Sequence, residues 1–182
     1  MKKILLCLSV VVLALTTSCT SVKVVPQAKS TVNAVSLGEL RLTNADYLVL
    51  NTISADATIR VSYNADNSIE VQDEDNTFSY KLKPIGKKGS GVYMLDKTDG
   101  VIRAGFLSNN PGIMDLTSPE DVARGVAISR IISMSQQLGA DGLIEPVIST
   151  NIEGASGSLS ALNVVYKTTV TAKPVKLKIT GK

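Results

Sequence analysis

From Tyr47 to Tyr63 apolar side chains fall on every odd position except Asn51: Tyr47, Val49, Ile53, Ala55, Ala57, Ile59, Val61 and Tyr63. After Leu50 the even positions are polar: Thr52, Ser54, Asp56, Thr58, Arg60 and Ser62. A period of two gives a strand one buried and one wet face, the signature of an antiparallel sheet. Seventeen residues would extend about 56 Å, longer than ordinary strands, so the pattern predicts a bend or bulge near Ala55-Asp56. Asn51 is a second candidate for a bulge.

The alternation then repeats in short pieces. Asn64-Ala65-Asp66-Asn67 reads as a turn, and Ile69 and Val71 alternate through Ser68–Gln72. Asp73–Asn76 turns the chain into Phe78, Tyr80 and Leu82, interleaved with Ser79, Lys81 and Lys83. Gly86–Gly91 reads as a loop and Val92–Leu95 as a short strand. Asp99-Gly100 is a hairpin signal ahead of Val101–Leu107. Farther on, Leu143–Ile152, a loop with Gly154 and Gly157, and Leu162–Ala172 form a second group. Pro174–Ile179 is either a last strand or a tail.

One helix interrupts this pattern. Ser118 is a natural N-cap, Pro119 suits the first helical position, and Asp121 places negative charge near the positive helix end. The helix runs to Leu138, where Gly139 supplies a left-handed stop. Its apolar residues do not keep to one stripe. Ala123, Ala127, Ile131, Met134 and Leu138 share a sector, Ile128 and Ile132 a second, and Val122 with Val126 a third. A surface helix carries one apolar stripe opposite a charged face. Two explanations stand: other segments of the same chain cover the extra surface, or Val122, Val126, Ile128 and Ile132 line a homo-oligomer interface. Strands, then a helix, then a hairpin give an α+β fold, a mostly antiparallel sheet with one long helix packed on it.

The first residues follow a different rule. Met1-Lys2-Lys3 precedes an apolar run from Ile4 to Leu15, then Thr16-Thr17-Ser18-Cys19. Two lysines, a short apolar run and a small-residue exit read as a secretory signal over residues 1–18. The run is too short to span a bilayer as a helix, which takes about 20 residues. Leu15-Thr16-Thr17-Ser18-Cys19 resembles a bacterial lipobox, in its relaxed form similar to those of Bacteroides-type bacteria. That resemblance implies cleavage before Cys19 and a diacylglyceryl-modified cysteine as the anchor. Thr20, where an Asp would imply inner-membrane retention, implies the outer membrane instead. Thr20-Ser21-Val22-Lys23 has none of the acidic residues of surface-exported relatives, which implies the periplasmic leaflet. Residues 19–35 read as a lipidated tether, with Val22–Val25 as an alternative edge strand, and residues 36–182 as a single domain.

Composition narrows the chemistry. The chain has 182 residues, two Cys, no His and no Trp. Without His, a Ser-His-Asp triad, a Cys-His dyad and a His-ligated metal are excluded within this chain. The net charge of +3 falls to +1 once Lys2 and Lys3 leave with the signal, and 164 residues remain. That balance argues against a nucleic-acid partner. Asp66, Glu70, Asp73, Glu74 and Asp75 lack calcium-loop spacing, because Ile69 or Phe78 stands where the loop glycine would have to be. They read as solvated turns, with no metal or cofactor assigned. Gly86, Gly89 and Gly91, beside Lys87 and Lys88, read as a hairpin loop, because no helix follows to hold a phosphate. Lys173, Lys176, Lys178 and Lys182 read as protection of an edge strand, or as a weak attraction to anionic lipid heads or glycans. Asn51 and Glu145 interrupt apolar runs and could project into a pocket, while Asp46 and Asp141 are further carboxylates near the core. None pairs with a second acid at a spacing that fixes an acid–base role.

Two stretches, Ala45-Asp46-Tyr47-Leu48-Val49-Leu50 and Leu138-Gly139-Ala140-Asp141-Gly142-Leu143-Ile144-Glu145-Pro146, lead into strands. The second opens a hairpin closing on Thr171-Ala172-Lys173-Pro174-Val175-Lys176. With the lipobox, they resemble uncharacterised outer-membrane lipoproteins of Bacteroides-type bacteria. The helix–Gly-Ala-Asp–strand segment is also similar to small α/β domains that assemble into rings, among them curli secretion lipoproteins. The expectation is a lipid-anchored envelope protein with a binding or assembly role and no catalysis. Its partners would be the membrane through the anchor and a second copy or another envelope protein. The alternatives are a glycan- or peptidoglycan-binding module using the concave sheet face or the Gly86–Gly91 loop, and a carboxylate-based hydrolase.

Overall fold

The computed structural model describes residues 27–31, 45–86, 91–107, 114–158 and 161–178. The expected signal, Cys19, Lys87, Lys88, Gly89 and Lys182 lie outside them. The described residues form nine strands and one helix, a mostly antiparallel α+β fold. The strands are β1 (Gln27–Thr31), β2 (Tyr47–Val49), β3 (Ile53–Tyr63), β4 (Ile69–Asp73), β5 (Phe78–Pro84), β6 (Tyr93–Gly100), β7 (Ile102–Phe106), β8 (Gly142–Ser158) and β9 (Ala161–Leu177). The helix, α1, spans Pro119–Gln137 between β7 and β8.

The sheet is organised around β9. One of its edges pairs with β8 from Ala161 to Val175, and the other pairs with β3 through Leu162–Ala172 and with β2 through Val175–Leu177. From β3 the sheet continues through β4 and β5 to β6. Pro174–Leu177 is therefore part of a central strand. Lys173 and Lys176 do not guard a sheet edge, because β9 has a neighbour on each side. The long alternating segment is broken at Leu50–Thr52 rather than near Ala55-Asp56, and Asn51 lies in that break. There the Leu50 amide donates to the Pro174 carbonyl at 2.8 Å and keeps β2 in line with β3.

Alternation sorts the two faces as expected. Ala55, Ala57, Ile59 and Val61 of β3 face the core with Ile69 and Val71 of β4 and Phe78, Tyr80 and Leu82 of β5. Arg60, Glu70 and Gln72 point to water. The Asp99-Gly100 signal is spent differently from the expected hairpin. Gly100 adopts φ +71° where a Cβ would collide with the Thr77 carbonyl oxygen, so only glycine fits. Beyond it β7 leaves the sheet and pairs in parallel with β1. Gln27–Thr31, read as part of the tether, is thus a strand.

This second ribbon accounts for the helix. Ser118 caps α1, accepting from the Asp121 amide, and Gly139 stops it at φ +68°. Val122, Val126, Ile128 and Ile132 are all buried inside the chain. The expectation that they line an interface between copies is corrected: β3, β8 and β9 enclose one part of α1, and β7 with β1 enclose another. β7 approaches so closely at Gly105 that an added Cβ would stand 2.4 Å from the Ser129 amide nitrogen.

One charged contact belongs to this core. Asp73 was expected in a solvated turn but is fully buried, at the inward end of β4. Arg130 of α1 reaches both its oxygens at 3.1 and 3.2 Å, and also donates to the Asp56 carbonyl at 2.8 Å and pairs with Asp75 at 2.6 Å. Thr77 Oγ1 donates to Asp73 at 2.6 Å.

Two stability outcomes follow from these contacts. Gly105→Ala forces β7 off the helix backbone and lowers unfolding free energy by about 1–3 kcal/mol in denaturant titration. Arg130→Ala strands a buried carboxylate and costs about 3 kcal/mol, of which Asp73→Asn in the same chain recovers a part.

Candidate functional site

The polar face of the sheet, turned away from α1, forms the candidate site. Because successive side chains alternate, the even positions of β3 bring Thr58, Arg60 and Ser62 onto one surface. The neighbouring strands add Glu70 and Gln72, Ser79 and Lys81, Lys97, and Asn163 and Val165. Glu74, just after β4, and Glu153 and Ser156 of β8 complete a groove of about 650 Å³.

Its charges are arranged in pairs. Lys81 meets Glu70 at 2.6 Å, Arg60 meets Glu74 at 3.1 Å, and Lys167 holds Glu153 at 3.2 Å. The hydrogen bond from Lys81 to Glu70 raises the lysine pKa above its ordinary value, and Glu153 does the same for Lys167. Both remain cations over the physiological range. Each of the three acids in the groove therefore faces a base. Ser62 Oγ donates to Asn163 Oδ1 at 2.7 Å, crossing from β3 to β9. Lys97 lies directly opposite Lys81 in the β5–β6 pair. Among the described residues Lys97 makes no ion pair, so the groove holds a cation beyond its three neutralised pairs.

The carboxylates weighed for acid–base roles, Asp46, Asp141 and Glu145, lie elsewhere. Glu145 sits at a break in the β8–β9 register, at φ +51°, with Lys173 Nζ donating to its Oε2 at 2.6 Å. Neither it nor Asn51 lines the groove. Asp141 pins the helix exit to the end of β9: its amide donates to the Val175 carbonyl and its Oδ2 accepts from the Leu177 amide, both at 2.8 Å. The Asp46 carbonyl accepts from the Lys178 amide at 2.8 Å. Asp66 accepts from both the amide and the hydroxyl of Ser68, which lowers its pKa and holds the β3–β4 turn. Gly86 and Gly91, both at positive φ, flank the β5–β6 connection, closed by a 2.9 Å bond from the Ile85 amide to the Val92 carbonyl. Of the groove residues, the sequence reading singles out only Glu70 and Glu74, as acids weighed for calcium; the signal of the others is the polar phase of the alternation.

Two tyrosines end on the core side. Burial, together with a hydrogen bond to Tyr166, pushes the Tyr63 phenol up to about 12. Burial raises Tyr80 further, and its hydroxyl donates to the Leu116 carbonyl at 2.8 Å. Among the described residues no helix is long and apolar enough to cross a membrane. Compared with known proteins, the chain matches no protein-family model, no curated sequence and no solved structure.

The tyrosines set an alkaline limit. Between pH 10 and about 12 the unfolded chain has lost the Tyr63 proton and the folded chain retains it. Stability is therefore unaffected by this group below pH 10 and falls as pH rises through that window. Denaturation midpoints measured across it decline, and Tyr63→Phe makes the decline shallower.

Proposed function

We propose that this is a lipid-anchored envelope protein, held at the outer membrane through Cys19 and facing the periplasm, that binds rather than catalyses. The surface that binds is the groove on the polar sheet face. Its ligand is a hydrophilic, acidic chain of the glycan or peptidoglycan kind.

The observation that carries this reading is the lining of the groove. Serines, a threonine, Gln72 and Asn163 present hydrogen-bonding groups along a surface several strands wide. Such groups suit hydroxyls and amides, which exchange water for protein partners at about 1 kcal/mol apiece. Lys97, opposite Lys81, offers a cation to a carboxylate on the ligand. The paired acids weigh against the hydrolase, which needs a carboxylate free to donate or accept a proton. The anchor adds a location: the lipobox resemblance puts two or more acyl chains on Cys19, enough for stable attachment.

Titration of the full chain in detergent with soluble peptidoglycan fragments tests the reading. Saturable binding is expected, weakened about tenfold by Lys97→Ala and by Asn163→Ala, and reduced by added salt for the parent chain. Absence of saturable binding, or binding indifferent to both substitutions, overturns it.

A further inference from the structure

A different surface, the outer edge of β8, points to a partner. β9 occupies one edge of this strand and no described strand pairs with the other. An unpaired edge presents a row of backbone donors and acceptors, and natural sheets blunt such rows with charge, proline or bulges. The opposite end of the sheet is treated in that way: β6 carries Asp96, Lys97 and Asp99. β8 places its devices at the ends of one stretch. Glu145-Pro146 and Glu153 lie at the two register breaks, and between them Val147–Ile152 is regular and uncharged. Within it Val147 is 63% and Ile152 59% exposed, with Ile148 partly exposed between them.

We propose that Val147–Ile152 pairs with the same segment of a second copy, antiparallel and about a two-fold axis through Thr150. An antiparallel pair within one sheet requires opposed residues to point to the same side, so the axis passes through a residue and not between two. Centred on Ser149, the pairing would set Glu145 against Glu153 of the other copy, like charge on like. Centred on Thr150, it sets Ile148 against Ile152 twice and Thr150 against itself, and neither acid meets another. Cross-strand pairs of β-branched residues stabilise a sheet, while opposed like charges destabilise it. Charge and apolar matching therefore select one register and a second copy as the occupant. The axis is perpendicular to the sheet, so both grooves open on the same face of one continuous sheet. Two sites on one face engage a polymeric ligand with the added avidity of linked modules.

Single cysteines read the register. In the full chain purified in detergent, with the parent as the control for its own cysteines, Thr150→Cys is expected to form a disulfide-linked dimer under mild oxidation. Val147→Cys, whose counterpart lies far along the partner strand, is expected to stay at the parent's background. Ser149→Lys places a charge on the exposed edge and weakens dimerisation at least tenfold by sedimentation, with an unchanged thermal unfolding midpoint at dilutions where the parent is dissociated. A parent chain that is monomeric at high concentration, or equal crosslinking at positions 147 and 150, overturns the proposal. The outcome involves no ligand, so it is independent of whether the groove binds a glycan.

Discussion

A helix of nineteen residues with apolar side chains on most of its circumference cannot rest on a sheet with its outer side in water. Enclosing α1 is the constraint from which the architecture follows. The sheet covers what one layer can reach, through β3, β8 and β9. The rest needs a second cover from the same chain, which is why β7 turns out of the sheet at Gly100 and runs along the helix with β1 beside it. Gly105 lets that cover close down to backbone contact. Ala104 and Ile102, both fully buried, give it an apolar underside. A helix closed in this way has few places left for charge, and Arg130 shows how one is accommodated. It keeps part of its side chain in contact with solvent while its guanidinium ties together the buried Asp73, the Asp56 carbonyl and Asp75.

How much of this could be read from the sequence depended on whether the signal was local. The strand phases and the helix with both its ends rest on residues a few positions apart, and each lies close to where periodicity and capping place it. What escaped was set by partners distant in sequence. Two-residue periodicity puts Asp73 on the same side as Ile69 and Val71, yet its acidic neighbours made it look like a turn residue. Arg130, 57 positions away, supplies the opposite charge that makes the inward placement tolerable. The break at Asn51 rather than at Ala55-Asp56 is fixed by the Pro174 carbonyl, which the local pattern does not contain. The lysines of the last segment suggest an edge, but Lys173 stands opposite Ile144 of β8 and Lys176 opposite Leu48 of β2, pairings that the local pattern does not contain.

The same limit governs the candidate site. Arg60, Gln72, Lys97 and Asn163 come from separate strands, and no spacing in one dimension marks them as neighbours. Their common property, the polar phase of each strand, is what every half-buried antiparallel sheet shows on its wet side. The groove becomes a distinct feature only once the strand order places Lys97 beside Lys81 and Asn163 beside Ser62. Glu145, which interrupts an apolar run, and Asp141, a carboxylate near the core, hold a bulge and a backbone junction together. The unusual local demand that each signals is structural in this chain.

The groove and the free edge of β8 are two consequences of the enclosure of α1. With the helix and the β1–β7 ribbon gathered on one side, the opposite side of the sheet is left open to solvent, and long polar side chains can line it without obstruction. The same crowding of cover around α1 leaves the far part of β8 bare, because the hairpin continues past the point where Leu143 is buried under the helix. From Val147 onward β8 has β9 for support, and no described strand pairs with its other edge. Shortening the hairpin to Ile152 would remove Glu153 and Ser156 from the groove. β8 reaches Glu153 and Ser156 only by running through Val147–Ile152, so the groove is not completed without that uncharged edge. A chain that needs the first must either protect the second or use it, and between Val147 and Ile152 it carries no protection.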